Sequence, residues 1–189
     1  IKKRKIGETE INPVGLGCMN MTPSYGPGLK KSDALNFLSK AIDLGYDFFD
    51  TATIYGLGEN EKLVGEALKS NRDSFLIASK CVLGFADGKR FLDGRPSTIK
   101  TACEASLKRL QTEVIDLYYM HRPDPKVPIE ESVGALADLK HEGKIKMLGL
   151  SEMSAETLRR AHSEHTISAM QSEYSLMTRN PELGVLETC

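Results

Sequence analysis

Six short apolar runs, most of them finishing on a polar residue and each followed by a segment with helical spacing, set the rhythm of this chain. The runs are VGLGCMNM, ending near Met19; Tyr46 to Phe49, delivering Asp50; SFLIASK, ending at Lys80; VIDLYYM, leading to His121; KIKMLGL, followed by Ser151; and TISAMQ, ending near Gln171. Short apolar runs bounded by glycine or polar turn residues read as buried strands. Between them, apolar residues recur every three or four positions. Ser32 is expected to cap a helix that carries Leu35, Leu38, Ala41 and Ile42 and stops at Gly45. Further helices are expected over Glu61 to Ser70, from Ser97 through Leu110, from Pro128 through Ala137, and after Ser154 through Ala161. Asn180 and Pro181 open one more. An N-terminal hairpin is expected over residues 1–13, joined at Gly7 to Thr9 and stopped by Pro13. The glycine-rich segment 81–96 reads as a long binding loop.

Strands alternating with helices of this length imply a parallel sheet with right-handed crossovers. With 189 residues, length alone favours an open doubly wound sheet over an eight-stranded barrel, which needs roughly 250. Composition, at 40% hydrophobic and 27% charged, is that of a globular chain with a sizeable core, expected as a single domain over 1–189. A formal net charge of −1 with no block of one sign gives neither a nucleic-acid nor an acidic-membrane footprint. The four cysteines, Cys18, Cys81, Cys103 and Cys189, have no disulfide or zinc spacing and read as reduced thiols of a cytoplasmic protein. No run of eighteen apolar residues occurs, and IKKRKIG lacks the apolar centre of a signal peptide. Ile1 in place of methionine suggests a clipped start.

Several motifs are imitations. Gly15-Leu16-Gly17 lacks the third glycine of a dinucleotide fingerprint, where Asn20 stands. Gly84 to Lys89 is one residue too short between its glycines for a phosphate loop. Gly149-Leu150-Ser151 lacks the closing glycine of a nucleophile elbow, and His162 with His165 has no third metal ligand.

The polar residues at the strand ends form a more coherent set. In a parallel barrel, C-terminal strand ends and the loops after them face one mouth. Asp50, Lys80, His121, Ser151 and Gln171 would then share it with Tyr55, five residues past Asp50. A tyrosine alone is a poor acid at neutral pH. A lysine ammonium against its hydroxyl would stabilise the phenolate, an aspartate would hold the lysine, and a histidine would orient a carbonyl oxygen. Such a set protonates an oxygen that gains charge as hydride reaches its carbon. None of these groups supplies hydride, so a cofactor is required.

The segments GYDFFDTATIYG, EKLVGEAL, LIASK, DLYYMHRPDP, GKIKMLGLSE and MQSEYS resemble, in order and across nearly all of the chain, successive motifs of the aldo-keto reductase family. The wording is most similar to the branch of plant-type and bacterial aldehyde and alkaloid reductases. The resemblance implies a (β/α)8 TIM barrel of which about six of eight units are present here, with the N-terminal hairpin plugging its floor. It implies Tyr55 as general acid tuned by Asp50 and Lys80, and His121 positioning the carbonyl. Ser151 and Gln171 would hold the nicotinamide amide, with Met19 and Asp50 beside the cofactor. That cofactor would be NADPH, extended over the mouth, and the partner a small-molecule carbonyl substrate, with no nucleic acid and no membrane. Glu152 stands where many members carry Asn. Tyr25, Phe85 and Phe91 are expected to shape the substrate pocket, while Met19, Met21, Met120, Met147 and Met153 read as pocket lining or as core filling. A second reading is an NADPH-binding sensor with little turnover, like the potassium-channel beta subunits that share the fold.

Overall fold

A computed structural model describes residues 2–189, and strand alternation accounts for its architecture. In chain order the elements are β1 (Arg4–Ile6), β2 (Thr9–Ile11), β3 (Leu16–Gly17), α1 (Lys31–Asp43), β4 (Phe48–Asp50), α2 (Glu59–Leu68), β5 (Leu76–Cys81), β6 (Leu83–Ala86), β7 (Lys89–Leu92), α3 (Pro96–Leu110), β8 (Ile115–Met120), α4 (Ile129–His141), β9 (Ile145–Ser151), α5 (Ala155–Glu164), β10 (Ala169–Gln171) and α6 (Val185–Thr188). Six strands form one all-parallel sheet in the order β10-β9-β8-β5-β4-β3. Each strand therefore lies beside its predecessor in the sheet. A doubly wound sheet reverses its order at a switch point, and this one does not. The molecule is a partial (β/α)8 barrel, and the expectation from length alone is overturned by strand order.

Alternation along each strand divides the core in two. Phe49, Ile77, Tyr118, Met120, Leu148 and Leu150 face the helices and pack with Leu38, Val64, Ile99, Leu107, Val133 and Leu136. Their neighbours Leu76, Ala78, Leu117, Tyr119 and Met147 point to the concave face, where Ile11 of β2 packs with them and Ile6 of β1 lies against them. Ile1, expected in the hairpin, lies outside the described residues. Because side chains repeat every second residue, Asp50, Lys80 and Ser151 continue the concave row at the strands' C-terminal ends.

The structure corrects several local expectations. Segment 81–96 is not a plain loop: β6 and β7 pair antiparallel within it, with Asp87 and Gly88 at φ 51° and 75° as the two-residue turn. An Asp-Gly turn between short apolar strands is the favoured hairpin connection. The first barrel strand is only two residues long, because the chain bends into a 3-10 turn at Met19–Met21. α1 begins one residue before Ser32, after Lys30, with no side-chain cap. α3 begins at Pro96, whose missing N–H costs nothing there. Ser154 does cap α5, accepting from the Thr157 N–H at 3.1 Å. Asn180 and Pro181 open a 3-10 turn ahead of α6.

α2 and α3 approach closely at Gly65, where an added Cβ would sit 2.4 Å from the Leu110 carbonyl oxygen and 2.6 Å from its carbon. Helix propensity alone favours alanine over glycine by roughly 1 kcal/mol. Contact with rigid backbone reverses that sign. Gly65→Ala is expected to destabilise the fold by about 1–3 kcal/mol, read from the midpoint of urea unfolding.

Candidate active site

Strand register explains why the polar strand ends converge. Asp50 pairs with Ala78, so Lys80 on β5 stands two residues beyond it on the same face. Met120 pairs with Leu150 and Ser151 with Gln171, which brings His121 level with both. Lys80 is 1% exposed. Its ammonium donates to Asp50 Oδ1, to the Thr51 carbonyl at 2.9 Å and to the Tyr55 hydroxyl at 3.4 Å. Three donors meet three acceptors. The other Asp50 oxygen accepts from Gln171 Nε2 at 3.0 Å, tying β4 to β10 across 121 residues of sequence.

Tyr55 comes from a backbone that only a particular sequence tolerates. Gly56, Leu57 and Gly58 all adopt positive φ, at 55°, 54° and 93°. A Cβ on Gly56 would lie 2.7 Å from Thr22, and one on Gly58 2.6 Å from Arg109. Asn60, fully buried, holds this loop. It accepts from Thr51 Oγ1 at 2.7 Å and donates to the Cys18 carbonyl at 2.8 Å and Thr22 Oγ1 at 3.1 Å. One carboxamide thus joins the ends of β3 and β4 to the first turn of α2. Sequence reading passed over Asn60, since an asparagine inside a helical pattern carries no mark of burial.

The His121 ring lies edge-on to Tyr55, with centroids 5.8 Å apart and planes at 85°. Burial, then the positive charges of Lys80, Arg122 and Arg90, push its pKa down from 6.5 to about 3. His121 is therefore neutral at physiological pH. Its Nδ1 is buried without a partner. A buried N–H without an acceptor is rarer than a buried acceptor without a donor, which assigns the ring proton to Nε2. Among the tyrosines nearby, Tyr118 and Tyr119 are buried and pushed well up by desolvation. Tyr55 lines a cavity, with its hydroxyl against the Lys80 ammonium.

That cavity has a volume of about 440 Å³, with Met19, Tyr25, Ile54, Phe85, Arg90 and Arg122 among its walls. Phe91 is absent from it, because its ring covers Gly84 on the hairpin instead. Of the methionines, Met21, Met120 and Met153 belong to the helix-side core and Met147 to the concave floor, leaving Met19 at the cavity. Burial pushes the thiols of Cys18 and Cys81 far up, so both are inert. No group of three or more His, Cys, Asp or Glu side chains placed to hold a metal occurs among the described residues. The same residues contain no helix long and apolar enough to cross a membrane.

Residues 13–189 match the Aldo/keto reductase family. The chain belongs to that family. A probable aldo-keto reductase from Glycine max is 46% identical over 184 residues, covering 95% of this chain and 53% of its own. The glycerol dehydrogenase of Gluconobacter oxydans is 33% identical with a TM-score of 0.90, over 98% of this chain and 59% of that one. An aldo/keto reductase from Klebsiella pneumoniae, crystallised with NADP and acetate, is 29% identical with a TM-score of 0.81, over 96% and 61%. This aldo/keto reductase chain thus spans about half the length of the curated relative. Members of the family generally reduce carbonyl compounds with NAD(P)H.

The polar groups beside Lys80 fit the amide end of a nicotinamide. A primary carboxamide needs an acceptor and a donor opposite it. The Gln171 side chain spends its Nε2 on Asp50, leaving its carbonyl oxygen to accept, and the buried Ser151 hydroxyl accepts from Arg122 at 3.3 Å, leaving its proton to donate. Glu152 is turned to the backbone, its Oε1 accepting the Glu173 N–H at 2.6 Å.

Two outcomes are expected. Asn60→Ala leaves a carbonyl and two hydroxyls without their buried partner, and is expected to cost about 2 kcal/mol or more in urea unfolding. For His121, the unfolded chain binds a proton below pH 6.5 while the folded chain resists until about 3. Stability is therefore lost as pH falls through that interval. The loss of unfolding free energy between about pH 7 and about pH 4.5 should be smaller in His121→Gln than in the parent.

Proposed function

We propose that this chain carries the reaction centre of an NADPH-dependent reductase that converts an aldehyde or ketone to an alcohol, with Tyr55 as proton donor. The observation that supports it most is the Tyr55 hydroxyl 3.4 Å from an ammonium whose other protons are already committed. Ser151 and Gln171 would hold the nicotinamide amide, with Met19 and Asp50 bordering it. NADPH, when bound, supplies hydride to the carbonyl carbon. The choice of NADPH is supported by the NADP in the Klebsiella relative.

The chain's own residues account for the rest of the chemistry. His121, neutral, points Nε2–H at the cavity and orients the carbonyl oxygen beside Tyr55. As negative charge grows on that oxygen, Tyr55 gives up its proton. Lys80 stabilises the phenolate left behind, and Asp50 with the Thr51 carbonyl keeps the ammonium in place. Ile54 and Phe85 give the cavity an apolar wall beside these groups.

Removing the phenol should separate chemistry from binding. Tyr55→Phe is expected to lower kcat/KM for a small aromatic aldehyde roughly 100- to 10,000-fold, with NADPH affinity by fluorescence titration nearly unchanged. The measurement uses the chain beside a version extended with the C-terminal portion of the soybean relative. Cofactor binding with no turnover in either parent protein would favour the sensor reading instead.

A further inference from the structure

Five of the nine arginines, Arg72, Arg95, Arg109, Arg160 and Arg179, pair with a carboxylate. Among the described residues Arg90 and Arg122 have no carboxylate partner, and both line the cavity that holds Tyr55 and His121. No aspartate or glutamate is among that cavity's walls. Arg122 is half-buried and oriented, because its Nη1 donates to the His121 carbonyl at 2.6 Å and to Ser151 Oγ at 3.3 Å. Its Nε and Nη2 are left to donate. Arg90 stands on β7 opposite Phe85 of β6, so the two share one face of the hairpin, and that face borders the cavity. Both guanidiniums also contribute to keeping His121 unprotonated.

Two unpaired guanidiniums over an apolar wall of Leu83, Phe85 and Ile54 match one chemical class. The guanidinium fork suits a carboxylate, in charge and in planar geometry. We propose that Arg90 and Arg122 form an anion subsite that selects aldehydes or ketones bearing a carboxylate. This rests on the reductase reading, and it adds the substrate's second functional group. The volume of about 440 Å³ is that of a small-molecule site. A carbonyl held at His121 and Tyr55 leaves the carboxylate to reach the arginines across the apolar wall.

The test compares 4-carboxybenzaldehyde with its methyl ester, which keeps the shape and removes the charge. On the extended chain described above, kcat/KM for the acid is expected to exceed that for the ester by about tenfold or more. That preference should shrink as salt rises from about 10 to about 200 mM. The acid-to-ester ratio should fall about tenfold in Arg90→Gln and in Arg122→Gln. Calorimetric binding of 4-(hydroxymethyl)benzoate against its methyl ester gives the same comparison without turnover. Tighter binding of the acid with neither aldehyde reduced would support the subsite and sink the reductase reading. Equal use and equal binding of acid and ester, insensitive to salt and to both substitutions, would overturn the subsite and leave the reductase reading standing. Loss of NADPH affinity in Arg90→Gln with the acid-to-ester ratio unmoved would overturn it too.

Discussion

An ammonium buried at the mouth of the sheet is the constraint on which the rest depends. A charge removed from water costs several kcal/mol unless it is paired and fully hydrogen-bonded. Lys80 meets that demand only because three acceptors from the one segment 50–55 converge on it: the Asp50 carboxylate, the Thr51 carbonyl and the Tyr55 hydroxyl. Parallel register sets the first, since Lys80 stands two residues beyond the partner of Asp50. The left-handed turn after Tyr55 sets the third. Asp50 in turn is shared with Gln171, so the ion pair closes a path from β5 through β4 to β10.

The opposite face of the same strand is organised by a second charge. Ser79, next to Lys80, points toward the helices and donates to the fully buried Glu61 at 2.5 Å. Glu61 also accepts from Arg109 Nε at 2.5 Å, and Arg109 lies where a side chain on Gly58 would have to go. Asn60, one residue before Glu61, fixes the other side of the loop. The first turn of α2 is therefore held both by the concave site and by the helix layer. Tyr55 sits between these anchors, which gives a surface loop the rigidity of a packed element.

Most of the strand ends were legible because burial on both faces of a parallel strand demands a largely apolar run, and the polar residue that closes the run marks its exit. That logic places Asp50, Lys80, His121, Ser151 and Gln171 at strand ends from the sequence. It was weaker where a side chain's importance comes from distant partners. Asn60, Thr22 and Arg109 bond across 38 to 48 residues of sequence, and no local pattern encodes that. The β6–β7 hairpin was legible in principle from Asp87-Gly88, but the surrounding glycines suggested a loop. Strand order settled what length could not: six strands in sequential order curve as part of a barrel, whatever the number of residues. Arg122 stood in view beside His121, yet its lack of a carboxylate partner is a fact of three dimensions.

Glu152 shows how a single departure alters the division of labour. Its φ of 54° is a conformation that asparagine adopts far more readily than longer side chains. Glutamate there carries a conformational cost and offers only acceptors. The structure offsets that cost locally. The Glu152 N–H donates to the Gln171 carbonyl at 2.9 Å, while its carboxylate accepts the Glu173 N–H at 2.6 Å. Two bonds from one residue thus clamp the backbone on either side of Ser172, and Gln171 leaves that clamp aimed at Asp50. A side chain unable to donate thus still helps fix the backbone of Gln171, whose own side chain bonds Asp50, the partner of Lys80.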